Sequence, residues 1–429
     1  MKEESIVTAG SISGLIQRTL NYVDTRLVDH GARVAWLVYH MLQEQGKYTL
    51  KEQQEICFAA LIHDIGAYKT EEIDRMIQFE TEEVWEHSVY GYLFLKYLTP
   101  LAEWADVVLY HHSGCRLLDR LKVRHRDCAQ ILNLADRLDI YRRICRTGKT
   151  ALYTFLERER KERIDPEIIE LFLKTEDRFN LVDRLEKGQE LLEELPVMGE
   201  GTQEADAYLR TLIYSIDFRS QHTVTHTITT TFIATTVAEL MGLLQDSIRH
   251  IYYGAMLHDL GKIGIPVEIL EFPGKLSAQA MNIMKTHVDL TEKILGGKID
   301  PVTTNIALRH HEKLDGSGYP RGLRAEQLSL EERILAAADI MSALLGTRSY
   351  KQAFSKEKTL GIIRQQAEEG KLDATVVGVI EQYFERIMKV VREQCSPILK
   401  IYFGMQEEYE ELLKKIQIFE KSDEYEDVK

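Results

Sequence analysis

Proline is scarce, at 8 residues in 429. Long helices therefore go largely uninterrupted, because proline in a helix interior removes a backbone donor and clashes with the preceding turn. Cysteine is scarce as well. The five, at positions 57, 115, 128, 145 and 395, form no CxxC pair, are odd in number and are irregularly spaced. That excludes a disulfide framework and points to reduced thiols in a cytoplasmic protein. No run of about 18 uncharged apolar residues appears, so no membrane-spanning helix is expected. The N-terminus Met1-Lys2-Glu3-Glu4 is acidic and lacks an apolar core, so it does not read as a signal peptide. Positive charge is also short: the net charge is -14 and the pI about 5.6. A broad basic face for polymeric nucleic acid is excluded. A small phosphate ligand is not, since a metal cluster would supply local positive charge.

What is present is apolar periodicity. Hydrophobic residues make up 44% of the chain, enough for a sizeable core in each of two or three domains. The 3.6-residue period recurs along nearly the whole length and predicts an all-α fold. One stretch resists: Thr223-Val224-Thr225-His226-Thr227-Ile228-Thr229-Thr230-Thr231 has strand propensity. It is read as helix because its counterpart around His30 has a helical pattern.

That counterpart belongs to an internal repeat. Phe58-Ala59-Ala60-Leu61-Ile62-His63-Asp64 echoes Tyr253-Gly254-Ala255-Met256-Leu257-His258-Asp259. Val108-Leu109-Tyr110-His111-His112 echoes Ala307-Leu308-Arg309-His310-His311, and Ile131 to Asp136 echoes Ile334 to Asp339. The spacings agree: His30 to His63 is 33 residues and His226 to His258 is 32, while His87 to His111 is 24 and His287 to His310 is 23. A repeat on this scale predicts two similar domains in tandem. They are placed at 1-145 and 206-400. A helical linker covers 146-205, with a break at Gly199-Glu200-Gly201, and a charged helix and tail cover 401-429.

The repeated residues are metal-ligand types. An adjacent His-Asp pair puts an imidazole nitrogen and a carboxylate oxygen within reach of one metal, or lets the carboxylate bridge two. One such pair carries little weight. The ordered set His226, His258, Asp259, His287, His310, His311, Asp339 carries much more, because seven ligand-type residues in apolar helical settings are hard to explain as packing. The N-terminal half holds a second set: His30, His63, Asp64, His87, His111, His112, Asp136.

The stretch from Leu257-His258-Asp259-Leu260-Gly261-Lys262 to His310-His311-Glu312-Lys313-Leu314-Asp315-Gly316-Ser317-Gly318-Tyr319-Pro320 resembles the HD-GYP domains, a branch of the HD metal-dependent phosphohydrolases. The likeness takes in Gly264-Ile265-Pro266, Pro273-Gly274-Lys275-Leu276, Met284-Lys285-Thr286-His287, and Arg348, Tyr350 and Lys351. It covers about half of the chain. The N-terminal half resembles an HD domain.

The resemblance implies a phosphodiesterase that opens a cyclic dinucleotide, cyclic di-GMP by default, to linear pGpG and on to GMP. A 3',3'-cyclic GMP-AMP substrate is the close alternative. Two other classes stay open: a cyclic-dinucleotide sensor without turnover, and an HD hydrolase of other nucleotides. Two divalent metals, iron or manganese ahead of zinc or nickel, would sit in the C-terminal half, and the N-terminal half could hold metal as well. Two metals about 3.5–4 Å apart make a clamp for phosphodiester hydrolysis. His226, His258, Asp259 and Asp339 would hold one and Asp259, His287, His310 and His311 the other, with Asp259 bridging. Lys262, four residues after His258, would stay on the same face of a continuing helix and bind the phosphate or protonate the leaving oxygen.

Gly316-Ser317-Gly318 permits a tight turn with N–H groups near a phosphate. Gly318, Tyr319, Pro320, Arg348 and Lys351 are the expected substrate contacts. Two positions depart from the family. His222, four before His226, is a possible extra ligand, and Ser342 stands where an aspartate is common; the N-terminal half keeps the acid as Asp139. No polymeric nucleic acid and no membrane are expected as partners, and a homodimer through the charged helices is possible.

Overall fold

The computed structural model describes residues 6, 9–22, 28–68, 85–145, 149–187, 191–196, 202–217, 225–272, 274–346 and 354–426. Among them the chain is helical without a strand, as the periodicity predicts; a single antiparallel bridge joins Asp315 to Arg324. The chain divides into two compact units, residues 8–211 with 405–429, and residues 1–7 with 212–404.

The first unit opens with α1 (Ala9–Leu20), α2 (His30–Gln45), α3 (Leu50–Leu61), α4 (Trp85–Leu98), α5 (Ala105–Leu109), α6 (Cys115–Leu121) and α7 (Arg126–Cys145). Local chemistry sets these limits. Thr49 and Glu52 form a reciprocal capping box that starts α3, and Gly46 in the left-handed region, at φ 65°, ends α2. The core gathers Trp36, Leu37, Leu93, Phe94 and Trp104, each 2% exposed or less. Burying side chains of this size contributes roughly 1.5–3 kcal/mol apiece. Then follow α8 (Lys149–Glu162), α9 (Pro166–Phe179), α10 (Leu181–Glu186) and α11 (Leu191–Glu194). Asp165 caps α9 and Pro166 takes its first position, where its missing N–H costs nothing.

The second unit repeats the plan. After α12 (Thr202–Asp217) come α13 (His226–Leu240), α14 (Gln245–Leu257), α15 (Val267–Leu270), α16 (Ala278–Leu295), α17 (Pro301–Leu308), α18 (Leu330–Leu345), α19 (Lys356–Glu368) and α20 (Ala374–Glu426). Helices α13, α14, α16, α17 and α18 pack as α2, α3, α4, α5 and α7 do. Helix α20 holds Pro397 and a non-helical residue, Tyr383.

The threonine-rich stretch is helical from His226 onward, against its propensity. Its buried hydroxyls explain how. Thr231 Oγ1 donates to the Thr227 carbonyl at 2.7 Å and Thr235 Oγ1 to the Thr231 carbonyl at 2.9 Å. Each bond satisfies a buried polar atom within the helix itself.

The turns after the two His-Asp pairs differ from expectation. The sequence suggests a helix that continues from His258 to Lys262. Instead α3 ends at Leu61 and α14 at Leu257, and each chain tightens into a 3-10 turn, Ile65–Tyr68 and Leu260–Gly264. Gly66 and Gly261 sit in these turns for lack of a side chain. A Cβ on Gly66 would lie 2.0 Å from the His87 carbonyl oxygen, and one on Gly261 would lie 1.9 Å from that of His287. The turn is therefore pressed against α4 in one unit and α16 in the other, beside the next histidine of each set.

Candidate metal centre and active site

The second unit brings its seven ligand candidates into one cluster. His258 caps the end of α14, with Asp259 in the turn behind it. His226 starts α13, His287 lies on α16, His310 and His311 follow α17, and Asp339 lies on α18. Asp259 Oδ2 is 3.0 Å from His258 Nε2 and 3.4 Å from His226 Nε2, while its other oxygen, Oδ1, is 3.5 Å from His287 Nε2. The two carboxylate oxygens thus face different histidines. Asp339 Oδ1 is 3.2 Å from His226 Nε2, and Asp339 Oδ2 is 3.6 Å from His311 Nδ1. His287 Nε2 and His310 Nε2 lie 3.4 Å apart.

Three backbone carbonyls fix how the rings of the second unit present themselves. Nδ1 donates to the carbonyl three residues back in His258 (2.6 Å), His287 (2.7 Å) and His310 (2.7 Å). A carbonyl can only accept, so Nδ1 carries the hydrogen and the Nε2 lone pair turns inward. His63 Nδ1 does the same with Ala60 at 2.7 Å. This is the tautomer a metal-bound imidazole needs. His226 is held otherwise: Ser342 Oγ is 3.1 Å from its Nδ1. Ser342, which departs from the family pattern, therefore orients a ligand candidate.

The buried atoms His258 Nε2 and Asp259 Oδ1 have no hydrogen-bond partner. Such atoms cost free energy unless something fills the gap, and a cation between imidazole and carboxylate suits both. Electrostatics agree. Burial would raise the carboxyls of Asp259 and Asp339, yet the adjoining histidines, with Lys262 beside Asp259, hold both well below the carboxylate range. Burial favours neutral His310 and His311, lowering the first well below its usual value and the second to about 3. Burial likewise works against a charged His226, but Asp259 and Asp339 prevail and raise it to about 9. Ionised carboxylates beside the neutral His310 and His311 are a donor set for a divalent transition metal, which would take the place of the proton on His226.

Lys262 reaches the cluster from the 3-10 turn rather than from a continuing helix. Its Nζ pairs with Asp259 Oδ2. Burial opposes its charge, but Asp259 overcomes this and raises the lysine above its usual value.

The Gly-Tyr-Pro loop lies beside the cluster. Its core is Glu312, 1% exposed, which had no role on sequence grounds. The Glu312 carboxylate accepts from the N–H groups of Arg321 (2.8 Å) and Leu323 (2.9 Å). The turn's own N–H groups are also engaged: Gly316 donates to the Lys313 carbonyl, Ser317 to Asp315 Oδ1 and Tyr319 to the His311 carbonyl. Gly318 packs so tightly that a Cβ would lie 2.4 Å from Lys313 N. The Tyr319 ring stands 4.6 Å from that of His311, and Pro320 is exposed.

Asp217 was also missed by sequence reasoning. It is 5% exposed and accepts from Thr227 Oγ1 at 3.0 Å, one residue beyond His226. Burial raises its carboxyl to about 7. No motif marks it; the signal could have come only from a charged residue inside an apolar helical stretch. His222, Arg348 and Lys351 lie outside the described residues.

The first unit holds a near copy. His30 Nε2 is 3.1 Å from Asp136 Oδ1 and 3.7 Å from Asp64 Oδ2, His63 Nε2 is 3.4 Å from Asp64 Oδ1, and His112 Nδ1 is 3.6 Å from Asp136 Oδ2. His87 Nε2 is 3.0 Å from His112 Nε2 and 3.5 Å from His111 Nε2. His30 Nε2, His63 Nε2 and both Asp64 oxygens are buried without a hydrogen-bond partner. Asp139 takes the place of Ser342, 2.8 Å from His30 Nδ1, and is gripped by Arg33 through two bonds of 2.5 and 2.9 Å. Two phosphate-side features of the second unit have no counterpart among the described residues of the first. Ala67 stands where the other unit has Lys262, and Ser113-Gly114 leads straight into α6.

Comparison with known proteins agrees with this architecture. Family models described as HD domain match residues 210–376 and 27–141. The chain therefore carries two HD domains. It is homologous to the HD-GYP cyclic-dinucleotide phosphodiesterases. It is 28% identical over 403 residues to the 3'3'-cGAMP-specific phosphodiesterase 1 of Vibrio cholerae, covering 86% of this chain and 91% of that protein. It is 40% identical over 175 residues to the cyclic di-GMP phosphodiesterase response regulator RpfG of Xanthomonas campestris, 40% of this chain and 46% of that one. The fold is also that of a solved cyclic GMP-AMP phosphodiesterase of V. cholerae, V-cGAP3, with a TM-score of 0.54 and 18% identity over 89% of this chain and 98% of that one.

Proposed function

We propose that the second unit is a metal-dependent phosphodiesterase that hydrolyses a cyclic dinucleotide. The observation that carries this is the Asp259 carboxylate, one oxygen facing His258 and His226 and the other facing His287. A carboxylate so placed can serve two ions. His226, His258, Asp259 and Asp339 would hold one, and Asp259, His287, His310 and His311 the other, with iron or manganese favoured. When bound, the metals supply a nucleophile at neutral pH and neutralise charge on the phosphate. The chain's own residues do the rest. Backbone carbonyls lock the imidazole tautomers, Ser342 steadies His226, and Lys262 holds a proton beside Asp259 for the leaving oxygen. Gly318, Tyr319 and Pro320, with Arg348 and Lys351, complete the substrate contacts in this reading.

Cyclic di-GMP, opened to pGpG and on to GMP, is the default substrate. The 3',3'-cyclic GMP-AMP reading is favoured by one observation: the relative of that name aligns over both units. Among the described residues no helix is long and apolar enough to cross a membrane. The reduced cysteines suit a cytoplasmic enzyme without polymeric nucleic acid as partner, and a homodimer fits the charged helices. The test is turnover of a nucleotide panel by the wild type and by Asp259→Ala. The variant is expected to lose activity and bound metal while its helical content is unchanged. Undiminished turnover in Asp259→Ala sinks the mechanism.

A further inference from the structure

A cavity of about 560 Å³ opens beside the metal cluster in the second unit. His311, Tyr319 and Lys313 line it, together with Gln366 and Ile362 on α19. Its size is that of a small-molecule site. Three lysines and one glutamate line it, so its charge suits an anion. These charges are not equivalent. Glu369 is taken: Gln365 Nε2 donates to its Oε1 at 2.8 Å and Lys371 Nζ to its Oε2 at 2.7 Å. Lys313 and Lys285 have no carboxylate partner at ion-pair distance among the described residues, and Lys285 Nζ stands 4.8 Å from the centre of the Tyr319 ring.

Gln366 differs from its neighbour Gln365. Its backbone carbonyl accepts from Lys371 N at 2.8 Å and Leu372 N at 3.2 Å, which fixes the residue at the end of α19. Its side-chain amide makes no hydrogen bond among the described residues. Ile362, four residues earlier on the same helix face, adds an apolar surface next to that amide. A cation, an aromatic ring, an apolar floor and a neutral amide make the chemistry of a nucleotide site. The amide is the element suited to a purine edge, since it both donates and accepts, as glutamine does towards adenine N6 and N7.

We infer that this cavity seats the second nucleotide of the substrate, its purine edge met by the Gln366 amide and its phosphate by Lys313. The inference rests on the phosphodiesterase reading. With one phosphodiester at the metal cluster, the other half of a cyclic dinucleotide must extend away from it, and the cavity shares His311 with that cluster.

The test uses the full chain and two kinds of substrate. Cyclic di-GMP and 3',3'-cyclic GMP-AMP fill the cavity; bis(p-nitrophenyl) phosphate offers a phosphodiester but no second nucleotide. In Gln366→Leu and Lys313→Met, kcat/KM on the cyclic dinucleotide relative to the small diester is expected to fall about tenfold or more, mostly through KM, since a well-made amide–base contact discriminates by that order. Bound metal is expected to match the wild type. The assignment is overturned if the ratio is unchanged, whether both activities fall together or neither does. A wild type that cleaves the small diester but no cyclic dinucleotide takes down the proposed function, and this subsite with it. A wild type active on cyclic dinucleotides whose variants keep the wild-type ratio takes down the subsite alone.

Discussion

Lys262 and Asp217 are two titratable side chains beside the second cluster, and they are expected to behave differently. The lysine is held charged by Asp259, so Lys262→Ala should keep its metal and lose about 10²–10⁴-fold in rate if the lysine delivers the proton. A variant with full metal and full rate would reduce the lysine to a bystander. Asp217 is a matter of stability and pH. Its carboxyl is raised from 3.8 to about 7, chiefly by burial, with Asp259 adding to it. The folded state therefore holds a proton that the unfolded state releases. The stabilisation from that proton is complete below 3.8 and is lost as pH rises to about 7, on the order of a few kcal/mol. Asp217→Asn cannot ionise. In chelator-treated protein, the melting temperature of the variant relative to wild type should rise between about pH 5 and pH 8. A difference that stays flat with pH would show that Asp217 is not buried as a neutral acid. The sequence could mark Lys262 by its motif but not Asp217, because a lone aspartate acquires its meaning only from the walls that close over it.

At the scale of the elements, the helices were legible and the joints between them were not. Apolar periodicity located α2 and α3, the likeness to α2 turned the threonine-rich stretch of α13 into a helix, and the repeat paired the ligand candidates across the two halves. What escaped was tertiary. The 3-10 turn after each His-Asp pair depends on α4 or α16 lying against it, and Glu312 organises the Gly-Tyr-Pro loop through contacts nine and eleven residues away. The glycines separate the two kinds of information. At Gly261 a methyl group would meet the His287 carbonyl oxygen at 1.9 Å. Gly261→Ala should push α16 off the turn, costing about 1–3 kcal/mol or more and lowering bound metal through His287. At Gly361, inside α19, a Cβ meets nothing within 4 Å. Gly361→Ala should therefore raise stability by about 0.4–1 kcal/mol. Denaturant midpoints with metal analysis check both. A harmless Gly261→Ala would mean that the turn and α16 are not pressed together as described.

The whole molecule holds two clusters of nearly the same geometry that differ in what surrounds them. In the first unit Asp139, itself held by Arg33, grips His30 through a charged hydrogen bond, where the second unit has a serine hydroxyl on His226. That favours a stiff site. Burial works against a charged His30, but Asp136 and Asp139 prevail and raise it to about 10. The same unit has a methyl group, Ala67, where the second has the Lys262 ammonium, and a helix start where the second has its tyrosine loop. A metal site without a proton donor or phosphate contacts can bind a nucleotide or brace a fold, but it should turn over poorly. Catalysis is therefore expected in residues 206 to 400, with a structural or regulatory first unit. In the full-length chain, His258→Ala/Asp259→Ala should abolish turnover. His63→Ala/Asp64→Ala should lower total bound metal and leave kcat within about threefold of wild type. The division of labour fails if the first-unit double variant loses the chemical step in single-turnover measurements while the second unit stays fully metallated. Loss of that kind would mean that the alanine at position 67 does not silence the first cluster, and that the two halves share the chemistry.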